Sequence, residues 1–263
     1  MNENTGEVGF FTEESKEVRG EEAVFPICQW INPEKGQLKF IGTAFFIGQN
    51  IFLTAKHNVY DSHNGLTDGL FTICFNGDNT YQIRNIERLI IKKEGDIALG
   101  LLRPIIHNIT KENIYNKCLV LDINECSLNE PVATFAFPLS EVRTIGERQE
   151  AHFNPSFEKG FITEFLPNGR DKTFLPNPCY RTSINIRGGA SGGPVFNKEG
   201  QVIGINSTGF EFQADEEPVS FVSRIYEALS FVLKDIEIEG YKKGNVTLYD
   251  LAVLGHIFLK RNS

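Results

Sequence analysis

Arg187-Gly188-Gly189-Ala190-Ser191-Gly192-Gly193-Pro194-Val195 is the stretch that decides how the chain is interpreted, because it sets one serine among four glycines. Glycine adopts positive φ without strain, so such a turn can expose the serine hydroxyl and bring backbone N–H groups to one point. Acyl transfer needs this combination of a nucleophile and donors for the developing oxyanion. A glycine-rich hairpin turn that happens to contain serine has the same composition. The rest of the chain has to decide between the two.

The composition is that of an ordinary globular protein, with 263 residues of which 41% are hydrophobic and 23% charged. This length suits one large all-β domain or two packed sub-domains. The net charge of −8 argues against nucleic acid or an anionic membrane surface as the main partner. No apolar run approaches the roughly 20 residues that span a bilayer.

The cysteines are odd in number and scattered, without CxxC or Cys/His ligand spacing. This pattern is typical of reduced core thiols and not of a disulfide framework. We therefore expect neither a metal site nor a cofactor. The five residues are Cys28, Cys74, Cys118, Cys126 and Cys179.

The N-terminal segment, residues 1–22, is acidic and lacks the basic start and apolar core of a signal peptide. We interpret it as a flexible arm, either a disordered terminus or a docking peptide, and expect a cytoplasmic protein. A secreted chain already trimmed of its leader would have the same sequence.

From Ala23 onward, short β-rich runs alternate with turn signals such as Asn32-Pro33-Glu34-Lys35-Gly36. The spacing predicts two barrels or sheets of about six strands each, over residues 23–117 and 118–223. The predicted strands are Ala23–Ile31, Leu38–Ile47, Asn50–Thr54, Leu70–Phe75, Tyr81–Ile91, Asp96–Leu102, Val132–Phe137, Gln149–Phe153, Phe157–Leu166, Tyr180–Ile184, Val195–Asn197, Val202–Ser207 and Val219–Val222.

The C-terminal region, residues 224–263, changes to a helical period. Apolar spacing predicts one helix over 225–236 and a second over 246–260, the latter with Thr247 and Asp250 at capping-box spacing. The acidic arm and these helices are the candidate contacts for a regulatory partner.

A serine hydroxyl becomes a good nucleophile only when a base takes its proton, and that base needs an orienting carboxylate. His57 lies where the apolar run Leu53-Thr54-Ala55 ends, so its side chain can be held rigidly and still reach the surface. Asp96 opens the apolar run of residues 97–102, where a buried carboxylate requires a compensating partner. A turn aspartate that caps its own backbone would have the same local sequence.

Histidine, aspartate and serine follow one another here in the order His57, Asp96, Ser191, which differs from the α/β-hydrolase and subtilisin orders. At these residues the chain resembles the chymotrypsin-fold (trypsin-like) serine peptidases. It is most similar to their disulfide-free bacterial branch, with the high-temperature-requirement and glutamyl-endopeptidase-like enzymes. The matching segments are Gly42–Ile47, Leu53–His57, Asp96–Leu99, Gly189–Val195 and Val202–Ile205.

The resemblance implies an all-β fold of two six-stranded antiparallel β-barrels followed by C-terminal helices, with the active site between the barrels. It implies that Ser191 attacks the scissile carbonyl, that His57 is the general base and then the general acid, and that Asp96 orients the imidazole. The N–H groups of Gly189 and Ser191 would form the oxyanion hole.

The resemblance also assigns a primary specificity pocket. Asn185 would lie at its floor, and Val219 would intrude where many relatives keep glycine. One wall and the substrate-pairing edge would come from Asn206, Ser207 and Gly209. Without an acidic floor we expect no Arg/Lys preference, and a small or medium uncharged side chain is favoured. Asn206 occupies the place where glutamate-specific relatives use histidine, which argues against that preference.

Ala190 stands where activatable zymogens carry the aspartate that binds the new N-terminal ammonium, so the resemblance implies no activation by that route. The sequence thus predicts a serine endopeptidase acting on polypeptides through an acyl-enzyme. A catalytically silent binding or scaffold module with the same fold, and a serine esterase using the same site, are the alternatives.

Overall fold

The computed structural model describes residues 10–11, 17–18, 20–76, 80–106, 111, 113–146, 148–210, 218–238 and 241–260. Its main feature is a pair of closed antiparallel barrels, which confirms the fold predicted from the sequence. Before the first barrel, Phe10–Phe11 pairs with Glu17–Val18, and Gly20–Ala23 forms a short helix, α1. The rest of the predicted N-terminal arm lies outside the described residues.

The strands of the first barrel are β1 (Val24–Asn32), β2 (Gln37–Gly48), β3 (Ile51–Ala55), β4 (Leu70–Phe75), β5 (Tyr81–Ile91) and β6 (Ile97–Leu102). They close in the order β6-β3-β2-β1-β4-β5. The first hairpin turns through Pro33–Lys35, where the Asn32 side chain accepts from Lys35 N and Gly36 takes φ +64°. A short strand pair, Tyr60–Asp61 with Gly65–Leu66, lies between β3 and β4 in the chain.

The strands from residue 131 to residue 224 are β7 (Pro131–Ala136), β8 (Glu141–Ile145), β9 (Arg148–His152), β10 (Ser156–Leu166), β11 (Cys179–Thr182), β12 (Pro194–Phe196), β13 (Val202–Gly209) and β14 (Ser220–Arg224). Six of them close the second barrel in the order β7-β10-β11-β14-β13-β12. The strand predicted over 149–153 is not part of this barrel, because β8 and β9 form a separate hairpin. Gln149 Oε1 of that hairpin accepts from Leu38 N of the first barrel at 2.7 Å.

The C-terminal region contains two short helices separated by a hairpin. A 3₁₀ helix spans Ile225–Ser230, strands β15 (Val232–Ile238) and β16 (Tyr241–Thr247) follow, and α2 spans Leu248–Val253. The helix predicted over 225–236 is therefore replaced by strand after Phe231. Burial alternates with a period of two over residues 231–234, as in a strand. The second helix, predicted over 246–260, is shortened to α2, because residues 246–247 belong to β16 and the chain turns after Leu254. Its predicted capping box of Thr247 and Asp250 is present.

The largest apolar cluster joins both barrels to the C-terminal region. It packs Phe45 and Leu99 of the first barrel with Phe196 and Ile205 of the second, and Leu233 of the C-terminal hairpin completes it. Each barrel also has its own interior cluster. The barrels are thus held at a fixed interface, which is what a site built from both of them requires. No helix in the described ranges has the length and apolar character needed to cross a bilayer.

Candidate active site

His57 and Asp96 are brought together by the pairing of β3 with β6. Ile97 pairs with Ala55, so the residues at these adjoining strand ends are neighbours in space. His57 lies in a 3₁₀ turn, Lys56–Asn58, directly after β3. Its Nδ1 is 2.9 Å from Asp96 Oδ2 and 3.0 Å from Oδ1. The His57 backbone N–H donates to the same carboxylate at 3.1 Å.

The pair has a buried end and an accessible end. The Asp96 side chain is 3% exposed and the His57 side chain 34%. A carboxylate only accepts hydrogen bonds, so Nδ1 carries the hydrogen in this contact and Nε2 is left as the available base. The Phe174 ring lies beside the imidazole, with ring centroids 5.6 Å apart.

Ser191 lies in a tight turn whose glycines are structurally required. Gly189 has φ +93° and Gly192 has φ +86°, values that L-residues rarely adopt. A Cβ on Gly192 would also lie 2.1 Å from Thr43 O. Gly192 N–H donates to Asn206 O at 2.8 Å and Gly193 N–H to Ala190 O at 3.0 Å. The stretch is therefore a specifically folded loop between β11 and β12, and not a generic hairpin turn.

The serine loop is docked on the segment that carries His57. Ser191 O accepts from Thr43 N at 2.9 Å and from Asn58 Nδ2, next to His57 in sequence, at 2.9 Å. The Ser191 hydroxyl donates to Ser207 O in a long contact of 3.4 Å. Within the described residues, no hydrogen bond joins this hydroxyl to the imidazole.

The two predicted oxyanion donors are available. Neither Gly189 N–H nor Ser191 N–H donates to a backbone acceptor in the part of the chain that the structure describes. Gly188 O, which could close the turn by binding Ser191 N–H, instead accepts from Leu139 N at 2.8 Å. Ala190 is buried, and its N–H donates to Arg187 O. The loop thus leaves the N–H groups on either side of Ala190 available to a substrate.

A family model described as a trypsin-like peptidase domain matches residues 42–205, a range that includes His57, Asp96 and Ser191. The chain belongs to the trypsin-like peptidase family. Its two barrels are those of the chymotrypsin-fold serine peptidases, as the sequence motifs predicted.

Two curated relatives of this trypsin-like peptidase share less than 30% identity with it. It is 28% identical over 184 residues to the uncharacterized protein y4bJ of Sinorhizobium fredii (strain NBRC 101917 / NGR234), covering 66% of this chain and 22% of that protein. It is 25% identical over 206 residues to a glutamyl endopeptidase of Staphylococcus aureus (strain MRSA252), covering 74% and 52%. The chain therefore spans about half or less of the length of these curated relatives.

Solved structures show the same fold. The HtrA-type protease AlgW, solved with a tripeptide, superposes with a TM-score of 0.53 at 19% identity, over 80% of this chain and 59% of that one. At this identity the likeness concerns the fold alone.

In this trypsin-like peptidase, Asn185 and Asn206 differ in exposure. Asn185 is half-buried, and its amide oxygen, when turned towards exposed Arg187, lies 3.2 Å from Nη2 and 3.3 Å from Nε. Asn206 is fully buried, and its Nδ2 donates to Thr134 Oγ1 at 2.7 Å and to Ala190 O at 3.3 Å. Asn206 thus holds the carbonyl group of Ala190, the residue before Ser191 in the serine loop.

The other predicted pocket residues lie on β13 and just before β14. The Ser207 hydroxyl shares a 2.7 Å hydrogen bond with Ser223. Gly209 lies so close to the opposite wall that a Cβ on it would be 2.5 Å from Ile186 O. Val219 is half-buried and packs in an apolar cluster with Phe174. Their roles in substrate binding stay predictions.

The part of the chain with described coordinates contains no cluster of three or more histidine, cysteine or carboxylate side chains able to hold a metal ion. All five cysteines are buried, and none of them forms a disulfide. Burial raises the pKa of the Cys28 thiol to about 12, so this thiol is unreactive at neutral pH.

Sequence reasoning missed three residues that shape the site: Thr43, Asn58 and Phe174. Thr43 lies inside a matching segment and Asn58 follows His57, but nothing in either pattern indicates a contact with the serine loop. Phe174 lies in a polar, proline-containing stretch, and no sequence signal connects it with the imidazole.

Proposed function

We propose that this chain is a serine endopeptidase in which Ser191 is the nucleophile, His57 the general base and acid, and Asp96 the residue that orients His57. The observation that carries the proposal is the contact of buried Asp96 with both His57 Nδ1 and the His57 backbone N–H. It fixes the imidazole with Nε2 on the accessible side. Docking of the Ser191 loop on Asn58 brings the nucleophile's backbone to the same place.

These positions support the following reaction. Ser191 Oγ attacks the scissile carbonyl while its proton passes to His57 Nε2, and the oxyanion is stabilised by the N–H groups of Gly189 and Ser191. The tetrahedral intermediate collapses to the acyl-enzyme as His57 donates that proton to the leaving amine. Water then attacks the ester, with His57 again acting first as base and then as acid.

The Ser191 hydroxyl has to turn before it can react. Its 3.4 Å contact with Ser207 O is long, and rotation between staggered side-chain conformations has a small barrier. Catalytic hydrogen bonds are often long or poorly aligned without substrate and tighten only in the reacting complex. Substrate binding is therefore expected to move the hydroxyl towards Nε2.

For the substrate, we propose a polypeptide with a small or medium uncharged residue before the cleaved bond. No carboxylate stands at Asn185 to attract Arg or Lys. The closeness of Gly209 to Ile186 narrows the predicted pocket and favours small side chains. A cytoplasmic location, and a regulatory partner at the acidic arm or the C-terminal region, stay predictions.

The deciding experiment is labelling with a fluorophosphonate, which forms a covalent bond only with an activated serine. We expect the parent chain to be labelled, and we expect labelling to disappear in Ser191→Ala. Ser127→Ala is the matched control, because it removes an exposed serine hydroxyl outside the serine loop and the predicted pocket and should leave labelling intact. A folded parent that resists labelling would contradict the proposal and favour the silent scaffold.

A peptide library and a set of ester substrates then separate the two enzymatic alternatives. A peptidase hydrolyses peptide amides and selects among residues before the bond, whereas an esterase hydrolyses esters only. Ester hydrolysis without any amide cleavage would overturn the peptidase assignment while keeping the nucleophile.

A further inference from the structure

Thr43 connects the first barrel to both residues of the predicted oxyanion hole. It is fully buried in β2. Its Oγ1 donates to Gly189 O at 2.8 Å, and its N–H donates to Ser191 O at 2.9 Å. The same Oγ1 accepts from Phe137 N at 3.2 Å. The Thr43 side chain of the first barrel thus contacts the second barrel at two places, the serine loop at Gly189 and the end of β7 at Phe137.

Asn58 adds a second contact from the same side. It is 3% exposed, and its Nδ2 donates to Ser191 O at 2.9 Å and to Thr54 Oγ1 at 3.0 Å. Thr54 Oγ1 in turn donates to Thr43 O at 2.7 Å. A Cβ on Gly42 would lie 2.5 Å from Asn58 Nδ2, so the amide fills space left by a glycine. The contacts form a continuous polar network beneath the serine turn.

These contacts restrict the direction in which the loop N–H groups point. A peptide unit is planar, so a fixed carbonyl oxygen also fixes the N–H of the following residue. Thr43 Oγ1 holds the unit between Gly189 and Ala190, and the bonds to Ser191 O hold the unit after Ser191. The unit that carries Ser191 N–H lies between these two, and its own carbonyl, Ala190 O, accepts from Gly193 N at 3.0 Å and from Asn206 Nδ2 at 3.3 Å. Contacts from both barrels therefore set the direction of this N–H group.

We propose that the Thr43 hydroxyl and the Asn58 amide are positioning residues that hold the oxyanion loop in its productive form from the opposite barrel. The role rests on the proposed peptidase function. It explains how the loop can stay ordered with Ala190 at the position where a zymogen would need an aspartate and a new ammonium. The loop is then preorganised as soon as the two barrels are packed.

The first test compares Thr43→Val, Thr43→Ser and Thr72→Val. Valine keeps the shape of threonine but cannot bind Gly189 O, and serine keeps the hydroxyl. Thr72 is a fully buried threonine of β4, and its hydroxyl contacts Cys74 and Arg84 instead of the loop. Thr72→Val therefore also removes one buried threonine hydroxyl, but that hydroxyl makes no contact with the serine loop.

For Thr43→Val we expect kcat to fall by on the order of 10- to 100-fold, with KM within about threefold, because an oxyanion donor is misaligned instead of deleted. Affinity for a peptide aldehyde, which forms the tetrahedral adduct, should fall by a similar factor. Thr43→Ser should recover most of both values, and Thr72→Val should change neither. Asn58→Ala should weaken kcat in the same direction, and its effect should not add to that of Thr43→Val.

The second readout does not depend on turnover. Amide hydrogen exchange and NMR signals of the backbone N–H groups at positions 189 and 191 are measured in the Ser191→Ala background, with and without Thr43→Val. We expect loss of order confined to residues 188–192 in the Thr43→Val chain and none in the Thr72→Val chain. An unchanged loop, or an unchanged kcat in a folded Thr43→Val protein, would overturn the positioning role. A parent that is not labelled by fluorophosphonate would overturn the peptidase function separately, because the exchange readout decides the role of Thr43 by itself.

Discussion

At the scale of single residues, the main question is how the Asp96 carboxyl group is accommodated in a buried position. Burying a carboxylate costs several kcal/mol unless its charge is compensated. Here compensation comes from the His57 ring and from the His57 backbone N–H. These two hydrogen bonds offset the cost of burying the Asp96 carboxyl group, and they also fix the orientation of the His57 imidazole.

The first prediction concerns Asp96→Asn. The asparagine oxygen can still accept from the His57 backbone N–H, but its NH₂ group then donates to Nδ1. The imidazole hydrogen must therefore be on Nε2, and Nε2 can no longer act as a base. We expect kcat for a peptide substrate to fall by on the order of 10⁴-fold with the fold retained. Glu94→Gln, an exposed carboxylate two residues earlier, is the control. A loss below about tenfold in a folded variant would contradict the assigned role.

Much of the candidate site could be predicted from the sequence because its signals are local. His57, Asp96 and Ser191 each lie at a recognisable change between apolar strand and turn. The roles of Thr43 and Asn58 could not be predicted, because their contacts with the serine loop form only when the two barrels pack together. Their hydrogen-bond partners lie more than a hundred positions away in the sequence. Asn206 shows the same limit, because only the structure shows that its amide holds Ala190 O.

At the scale of elements, residues 167–178 between β10 and β11 form the wall beside His57. Asp171 organises this segment: its Oδ1 accepts from Thr173 N at 2.9 Å and Phe174 N at 2.6 Å, and Arg170 Nε donates to its Oδ2 at 2.8 Å. The Arg170 guanidinium also packs over the Phe174 ring. The aromatic wall is thus held by one carboxylate.

The second prediction uses the pH dependence of this carboxylate. The pKa of Asp171 is lowered to about 2. The main cause is the hydrogen bond from Phe174 N, and the bonds from Thr173 N and Arg170 add to it, whereas burial acts in the opposite direction. A lowered folded-state pKa contributes stability above the unfolded value of about 4, and that contribution is lost as the pH falls from about 4 towards 2.

We therefore expect Asp171→Asn to be less stable than the parent at pH 7, by no more than about 1 kcal/mol for this half-exposed group. The difference should shrink by pH 3 in urea unfolding. Asp68→Asn is the control, because the exposed Asp68 carboxylate accepts no hydrogen bond among the described residues. A difference that stays constant between pH 7 and pH 3 would contradict the role of Asp171.

The elements differ in how well their sequence predicts them. The strands of the first barrel follow the sequence closely, since each is a compact apolar run between turn signals. The hairpin of β15 and β16 could not be predicted, because Phe231, Val232 and Ile236 also fit a helical period. The alternating burial of residues 231–234 distinguishes a strand from a helix, and it arises because Phe231 and Leu233 pack in the apolar cluster that joins the two barrels.

At the scale of the whole molecule, the C-terminal tail closes the interface between the barrels. Ile257 in the tail is buried. Leu121, in the segment that connects the two barrels, donates its N–H to Phe258 O at 2.8 Å, and its carbonyl oxygen accepts from Lys260 N at 2.8 Å. Leu121 also bridges to Val202 of the second barrel. The tail thus forms a single parallel β-bridge, Leu259 with Leu121, at the point where the barrels meet.

Lys260 joins the tail to a nearly buried carboxylate, Asp122, at 3.0 Å. Burial by itself would raise the pKa of Asp122, but the bonds from Lys260 and Asn124 outweigh it and the pKa is lowered. The same contact raises the pKa of Lys260. The stability from Asp122 is lost as the pH falls below about 4, and that from Lys260 as the pH rises above about 10, so the pair contributes most between about pH 5 and 9.

The last prediction separates the pair from the tail. A chain that ends at Gly255 loses the burial of Ile257 and both Leu121 bonds, and we expect its free energy of unfolding to fall by on the order of 3 to 5 kcal/mol in urea. Lys260→Met keeps the tail and leaves Asp122 without its cation, so a smaller loss of about 1 to 3 kcal/mol is expected at pH 7, decreasing at pH 3. A chain that ends at Lys260 is the matched control and should equal the parent. If the Gly255 truncation were as stable as the parent, the tail would not close the interface, and the barrels would have to be held by the apolar cluster alone.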